Sequence, residues 1–166
     1  MKSEKSETFP VRAAGFEDAE TIFGLIKAHP DELLPRPISD IVQNIDRFLV
    51  LEEDGRVAGT VSWQILPEIG APREPSVEIR SLAVDPGCRN QGAGRALVRA
   101  AIERIRTLQP AQILVLTFTP RFFARLGFRE VPKEQLMHKI YAGCINCTKY
   151  ESPFTCPEIA MVLSQP

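Results

Sequence analysis

The spacing of apolar residues predicts four helices with strands between them. "FEDAETIFGLIKAH" carries Ala19, Ile22, Phe23 and Ile26 at helical spacing, with acids in its first turn and Lys27 and His29 at its end, as the helix dipole favours. Pro30, Pro35 and Pro37 break the chain, and "SDIVQNIDRF" resumes the helical period from a Ser39 cap. "GRALVRAAIERIRTLQ" lines one face with Leu97, Val98, Ala101, Ile102, Ile105 and Leu108. "TPRFFARLGF" reads as a short helix with Pro120 in its first turn and Gly127 as its stop. Strands are expected at "FPVRAA", ending at the Gly15 turn, and in "FLVLEEDGRVAGTVSWQIL", a hairpin through Asp54-Gly55. A polar loop over residues 67–75 leads to the strand "SVEIRSLAV"; "AQILVLTF" is a continuous apolar run suited to burial on both faces. "REV" and "EIAMVL" close the order β-α-α-β-β-β-α-β-α-β-β, a mixed α/β sheet.

Composition narrows the classes. With 166 residues, 44% of them hydrophobic and 25% charged, the chain fits one globular domain, residues 9–166, behind a disordered tail at 1–8. No apolar run approaches the ~18 residues that span a bilayer, and "MKSEKSETFP" is unlike a signal core, so the expected location is cytoplasmic with no membrane partner. A net charge of -1 argues against a nucleic-acid partner and makes any anion site local. The most basic segment is Arg89 to Arg106, where Arg89, Arg95, Arg99, Arg104 and Arg106 face a single acid, Glu103.

That segment opens with "RNQGAGRALV". A strand, a glycine loop and then a helix put unpaired backbone amides at a helix N-terminus, where the dipole's positive end also favours an anion. Gly92 and Gly94 let a bulky anion approach the main chain, and Arg89 and Arg95 add charge. The loop matches neither the three-glycine dinucleotide fingerprint nor a P-loop, and a plain strand-to-helix turn fits these residues equally well.

"SLAVDPGCRNQGAGRALV" resembles the acetyl-CoA motif of the GNAT family of N-acetyltransferases, with Arg89, Gly92 and Gly94 at its matching positions, and "FFARLGF" is similar to the family's later signature. The resemblance runs from about Val11 to Leu163. It implies the GNAT fold, a sheet of six to seven strands flanked by about four helices. It also implies acetyl-CoA as co-substrate. Arg89, Asn90, Gln91, Gly92, Ala93, Gly94 and Arg95 would hold the pyrophosphate, and Leu82, Ala83 and Val84 would pair through their backbone with the pantetheine arm.

Acetyl transfer to an amine needs a base for the amine, a donor for the oxyanion and an acid for the leaving thiolate. Alternation along "SVEIRSLAV" puts Glu78, Arg80, Leu82 and Val84 on one face, which makes Glu78 a candidate base acting through water; a solvent-facing acid fits that position equally well. The family's usual acid is a Tyr five residues before the Phe of Gly-Phe, and here that position is Phe123. Tyr141 and Tyr150 lie outside the motif.

"LLPRPISDIVQNIDRFLV", "EIRSLAV", "VLTFTPRFFARLGFREV" and "EQLMHKIYAGCINC" together resemble the acetyltransferase domain of bacterial N-acetylglutamate synthases, particularly the short, single-domain kind. This implies acetylation of the α-amine of L-glutamate by direct ternary-complex transfer, in arginine biosynthesis. Arg36 holds the position the resemblance assigns to a substrate-binding arginine, with Arg80 and Lys139 as further candidates; arginine is the best fork for a carboxylate. Longer synthases carry an N-terminal domain that binds arginine, for which 166 residues leave no room, so neither arginine feedback nor an exclusive acceptor carries over. Two rivals stand beside this reading. One is a GNAT enzyme acting on another amino acid, a small amine or a peptide N-terminus. The other is a non-enzymatic acetyl-CoA- or metal-binding module, suggested by the missing Tyr and by the C-terminal cysteines. A homodimer stays open.

Those cysteines, Cys144, Cys147 and Cys156, sit in or beside an insertion around residues 136–156. Cys-x2-Cys has the bite for zinc, and His138 would complete a structural Cys3His site; three buried free thiols in a reducing compartment fit as well. Cys88 lies at the edge of the glycine loop, where an acetyl-cysteine intermediate is conceivable but unnecessary.

Overall fold

The computed structural model describes residues 9–66, 75–136 and 156–164. Along them run β1 (Val11–Ala13), α1 (Ala19–Lys27), α2 (Ile38–Gln43), β2 (Phe48–Glu53), β3 (Arg56–Leu66) and β4 (Ser76–Val84). Then follow α3 (Ala93–Arg106), β5 (Gln112–Thr117), α4 (Pro120–Ala124), β6 (Phe128–Glu130) and β7 (Ile159–Leu163). This is the order the apolar pattern predicts. The strands form one mixed sheet in the order β1-β2-β3-β4-β5-β7-β6. Ser76, Val77 and Glu78 of β4 pair in parallel with Gln112, Ile113 and Leu114 of β5, and the helical crossover that a parallel pair requires is α3. β1 with β2, β5 with β7 and β6 with β7 are antiparallel.

Local chemistry sets the boundaries. Asp54 and Gly55 both take positive φ, +50° and +75°, as the two-residue hairpin turn between β2 and β3 demands. A 3-10 turn, Phe16–Asp18, precedes α1, because the buried Asp18 carboxylate turns back to accept from Gly15 N at 2.8 Å. Ser39 is not the cap of α2. Pro37, at φ -67° and ψ 150°, occupies that place without a side-chain bond, and Ser39 falls inside the helix. α3 stops at Arg106, and Gln109 closes the following turn at φ +51°, so Leu108 leaves the apolar face and is 53% exposed.

The described residues up to Val61, with Ser81–Ala100, form one compact unit, and those within 62–80 and from Ala101 onward form another. In the first, Ala19, Ile22 and Ile26 of α1 pack with Ile41, Phe48 and Val50. Truncating one such isoleucine to alanine costs about 2–5 kcal/mol. In the second, Leu66, Leu114, Val131, Leu136, Ala160 and Val162 form the cluster. Among the described residues no helix is long and apolar enough to cross a membrane.

Candidate functional site

The glycine loop belongs to the first unit, and its approach is held from several sides. Where β4 ends, Asp85 N donates to Ala58 O at 2.8 Å, and Asp85 Oδ1 accepts from Gly87 N at 3.0 Å to shape the turn Pro86–Cys88. Cys88 is buried, and its thiol donates to Glu53 Oε2 at the end of β2. That hydrogen bond first, and burial second, push the thiol's pKa up to about 11. A thiol protonated at neutral pH is no nucleophile, so Cys88 is a tether here and the acetyl-cysteine route has no thiolate to start from.

Past the tether the backbone turns sharply. Asn90 and Gly92 take φ of +64° and +91°, while Arg89, Asn90 and Gln91 are exposed. A β-carbon built on Gly92 would lie 3.9 Å from both Arg95 Nη2 and Phe9 Cε2, so backbone conformation, rather than lack of space, demands glycine. Gln91 Nε2 donates to Gly87 O at 3.3 Å and Arg89 Nε to Val84 O at 3.5 Å. Ala96 N makes the first i→i−4 bond, to Gly92 O at 3.0 Å, which leaves the amides of Ala93, Gly94 and Arg95 without an intrahelical acceptor. On the neighbouring β3, a β-carbon at Gly59 would sit 2.9 Å from Leu97 Cδ1, so the missing side chain seats α3 directly on the strand. The result is an amide-lined, arginine-flanked helix start suited to an anion.

Leu82, Ala83 and Val84 lead into this loop along β4. Ser81, just before them, holds φ +53° in the middle of the strand. Strict alternation does not pass through a left-handed residue, so the grouping of Leu82 and Val84 with Glu78 and Arg80 on one face does not follow from counting. No sequence signal announced this, since serine carries no mark of left-handed backbone.

Arg36 lies between Pro35 and Pro37 with its side chain 13% exposed. Its Nε donates to Asp40 Oδ2 at 2.6 Å, its Nη1 donates to Ser81 Oγ at 3.2 Å, and its guanidinium carbon stands 5.0 Å from the Phe48 ring centroid. The i,i+4 spacing of Arg36 and Asp40 was visible in the sequence, but the part played by Ser81 was not.

In the second unit, Glu78 is 4% exposed on β4, which removes the solvent-facing alternative. Arg80 donates through Nη1 to Gln64 Oε1, and its carbonyl accepts from Ser62 Oγ at 3.4 Å. Phe123 is buried edge-to-face between Phe122 and Phe128, with centroids 5.0 and 5.4 Å away, and is a core ring. Lys139, Tyr141, Tyr150, His138, Cys144 and Cys147 lie outside the described residues. Cys156 is half-buried, and its carbonyl accepts from Lys133 Nζ. Among the described residues no cluster of three His, Cys, Asp or Glu could hold a metal, and of the zinc reading's four residues only Cys156 is among them.

Comparison with known proteins bears on these residues. The model of the acetyltransferase (GNAT) family matches residues 13–128. An uncharacterized N-acetyltransferase of Chlorobaculum tepidum is 35% identical over 92% of this chain and 94% of its own. An amino-acid acetyltransferase of Mycobacterium tuberculosis is 32% identical, covering 73% of this chain and 68% of that one. Among solved structures, Rv2747 of Mycobacterium tuberculosis, in complex with CoA and NLQ, aligns with a TM-score of 0.77 at 27% identity over 95% of this chain and 99% of its own.

Proposed function

The chain belongs to the GNAT family of acetyltransferases, and from that premise we propose that it transfers the acetyl group of acetyl-CoA to the α-amine of L-glutamate within a ternary complex. The observation that carries the acceptor half is Arg36, a nearly enclosed guanidinium held in one place by Asp40, Ser81 and Phe48, and a guanidinium is the side-chain group whose geometry best matches a carboxylate. The similarity to an amino-acid acetyltransferase supports an amino-acid acceptor, and the similarity to Rv2747, solved with CoA, supports the donor.

On this reading the amides of Ala93, Gly94 and Arg95, with the turn Arg89–Gly92, take the coenzyme's pyrophosphate, and Arg89 and Arg95 add charge from outside. The backbone of Leu82 to Val84 takes the pantetheine arm. Arg36 holds an acceptor carboxylate. Arg80, which donates to Gln64, and Lys139 stay further candidates. Glu78, buried on β4, is the proposed base and draws a proton from the substrate ammonium through water. The amine nitrogen then attacks the thioester carbonyl carbon, a C–N bond forms, the nitrogen gives its second proton to water, and the tetrahedral intermediate collapses with cleavage of the C–S bond. An ordinary thiol has a pKa of about 8.5, so the thiolate departs near neutral pH and is protonated by solvent; the reaction tolerates a phenylalanine at position 123.

The test is product identification. Purified protein is incubated with acetyl-CoA and an equimolar mixture of the protein amino acids, and the acetylated product is read by mass spectrometry. N-acetylglutamate is the expected main product, and a different main product, or none, overturns the proposal.

A further inference from the structure

Arg36 is one end of a chain of polar contacts that begins on α2. Asn44 Nδ2 donates to Asp40 Oδ1 at 3.1 Å and to Asp40 O at 2.9 Å, which fixes the carboxylate against its own helix. Asp40 Oδ2 then accepts from Arg36 Nε at 2.6 Å, and Arg36 Nη1 reaches Ser81 Oγ at 3.2 Å. The Phe48 ring, 1% exposed, backs the guanidinium at 5.0 Å. Ser81 reaches this place at φ +53°, a conformation that is strained for a residue with a β-carbon and persists only where its surroundings enforce it. A long cation that a solvated surface would leave to several rotamers is thus held in one.

We propose that Asp40 and Ser81 are positioning residues that fix the Arg36 guanidinium in the orientation that meets the acceptor's carboxylate. This rests on the acceptor role given to Arg36 above. Neither residue touches the reacting atoms. Each acts through Arg36, Asp40 as an anion that accepts from Nε and Ser81 as an uncharged hydroxyl that accepts from Nη1, so Asp40 matters more. Fixing a side chain before binding removes the cost of ordering it during binding, and the effect falls on acceptor affinity rather than on the chemical step.

The experiment is a steady-state double-mutant cycle with L-glutamate and acetyl-CoA. Asp40→Asn keeps the shape of the side chain and removes its charge; it is expected to raise KM for glutamate about tenfold. KM for acetyl-CoA and kcat stay within about twofold. Ser81→Ala raises the glutamate KM less, about threefold, and keeps the test open should Asp40→Asn fold poorly. Once Arg36→Ala is present, adding either change has no further effect, which a merely structural role would not produce. The proposal is overturned if either substitution leaves the glutamate KM unchanged, or if its effect adds in full to that of Arg36→Ala. If Arg36→Ala itself leaves the glutamate KM unchanged, the acceptor role of Arg36 fails first and the proposal falls with it.

Discussion

Cys88→Ala deletes the thiol that ties the turn Pro86–Cys88 to Glu53. Cys88 is 1% exposed, and the bond to Glu53 together with burial pushes its thiol from 9.0 up to about 11. A difference of 11 − 9.0, at about 1.4 kcal/mol per pH unit, puts a ceiling of about 3 kcal/mol on what the native surroundings give the protonated form. Hydrogen bonds to charged groups contribute roughly 1.5–3 kcal/mol net, beneath that ceiling. An expected loss of about 2 kcal/mol lowers Tm by about 4–8 °C for a chain of this size. The pH dependence carries the signature. The fold favours the protonated thiol, so its contribution is complete below pH 9.0, declines as pH rises and is gone above about 11. Urea denaturation of both proteins between about pH 7.5 and 11 should therefore show a stability gap that narrows as pH rises. A gap of constant size across that range would assign the loss to packing alone and refute the hydrogen bond. The turn leads into the loop proposed for the pyrophosphate, so the variant should also bind acetyl-CoA more weakly.

Gly92→Ala places a β-carbon at φ +91°, with an expected cost of about 1–2 kcal/mol, and Gly92→Val costs more because its β-branch is stiffer. Both should keep the far-UV circular dichroism spectrum and weaken acetyl-CoA binding in calorimetry about tenfold or more; unchanged affinity removes the loop from the coenzyme site. Asp18, buried, accepts from Arg12 Nη1 and Nη2 at 2.7 and 3.0 Å and from Gly15 N at 2.8 Å, and the Arg12 bond chiefly lowers its pKa below the ordinary 3.8. That contribution is present above pH 3.8 and is lost as pH falls through the lowered value. Asp18→Asn should accordingly cost about 2 kcal/mol at neutral pH and show a flatter acid limb in denaturation between about pH 4 and 2; an identical acid limb contradicts the pairing.

Much of the fold is legible because period and punctuation agree. Leu97, Val98, Ala101 and Ile105 of α3 are fully buried, as their spacing demands, and the Asp54-Gly55 turn closes the hairpin it announces. Ends were harder, since they depend on single backbone angles: Pro37 displaced Ser39 as the cap of α2, and Gln109 ended the turn that would have kept Leu108 on the apolar face. At the site, the amides and glycines of the donor loop follow from residue type and order. The support of Arg36 does not, because Ser81 is brought to it across 45 residues of chain. The charge on Asp18 reads in sequence as a helix-dipole acid, and only the fold turns it into the buried partner of Arg12.

In the proposed reaction a fixed arginine, Arg36, selects a dicarboxylic amino acid for acetylation. The most direct measurement is kcat/KM, read as thiol released from acetyl-CoA, for L-glutamate beside L-glutamine, spermidine, an aminoglycoside and a short peptide with a free N-terminus. The highest value is expected for glutamate, with its loss in Arg36→Ala and the acetyl-CoA KM unchanged. An equal or higher value for glutamine, the polyamine, the aminoglycoside or the peptide would overturn that selection.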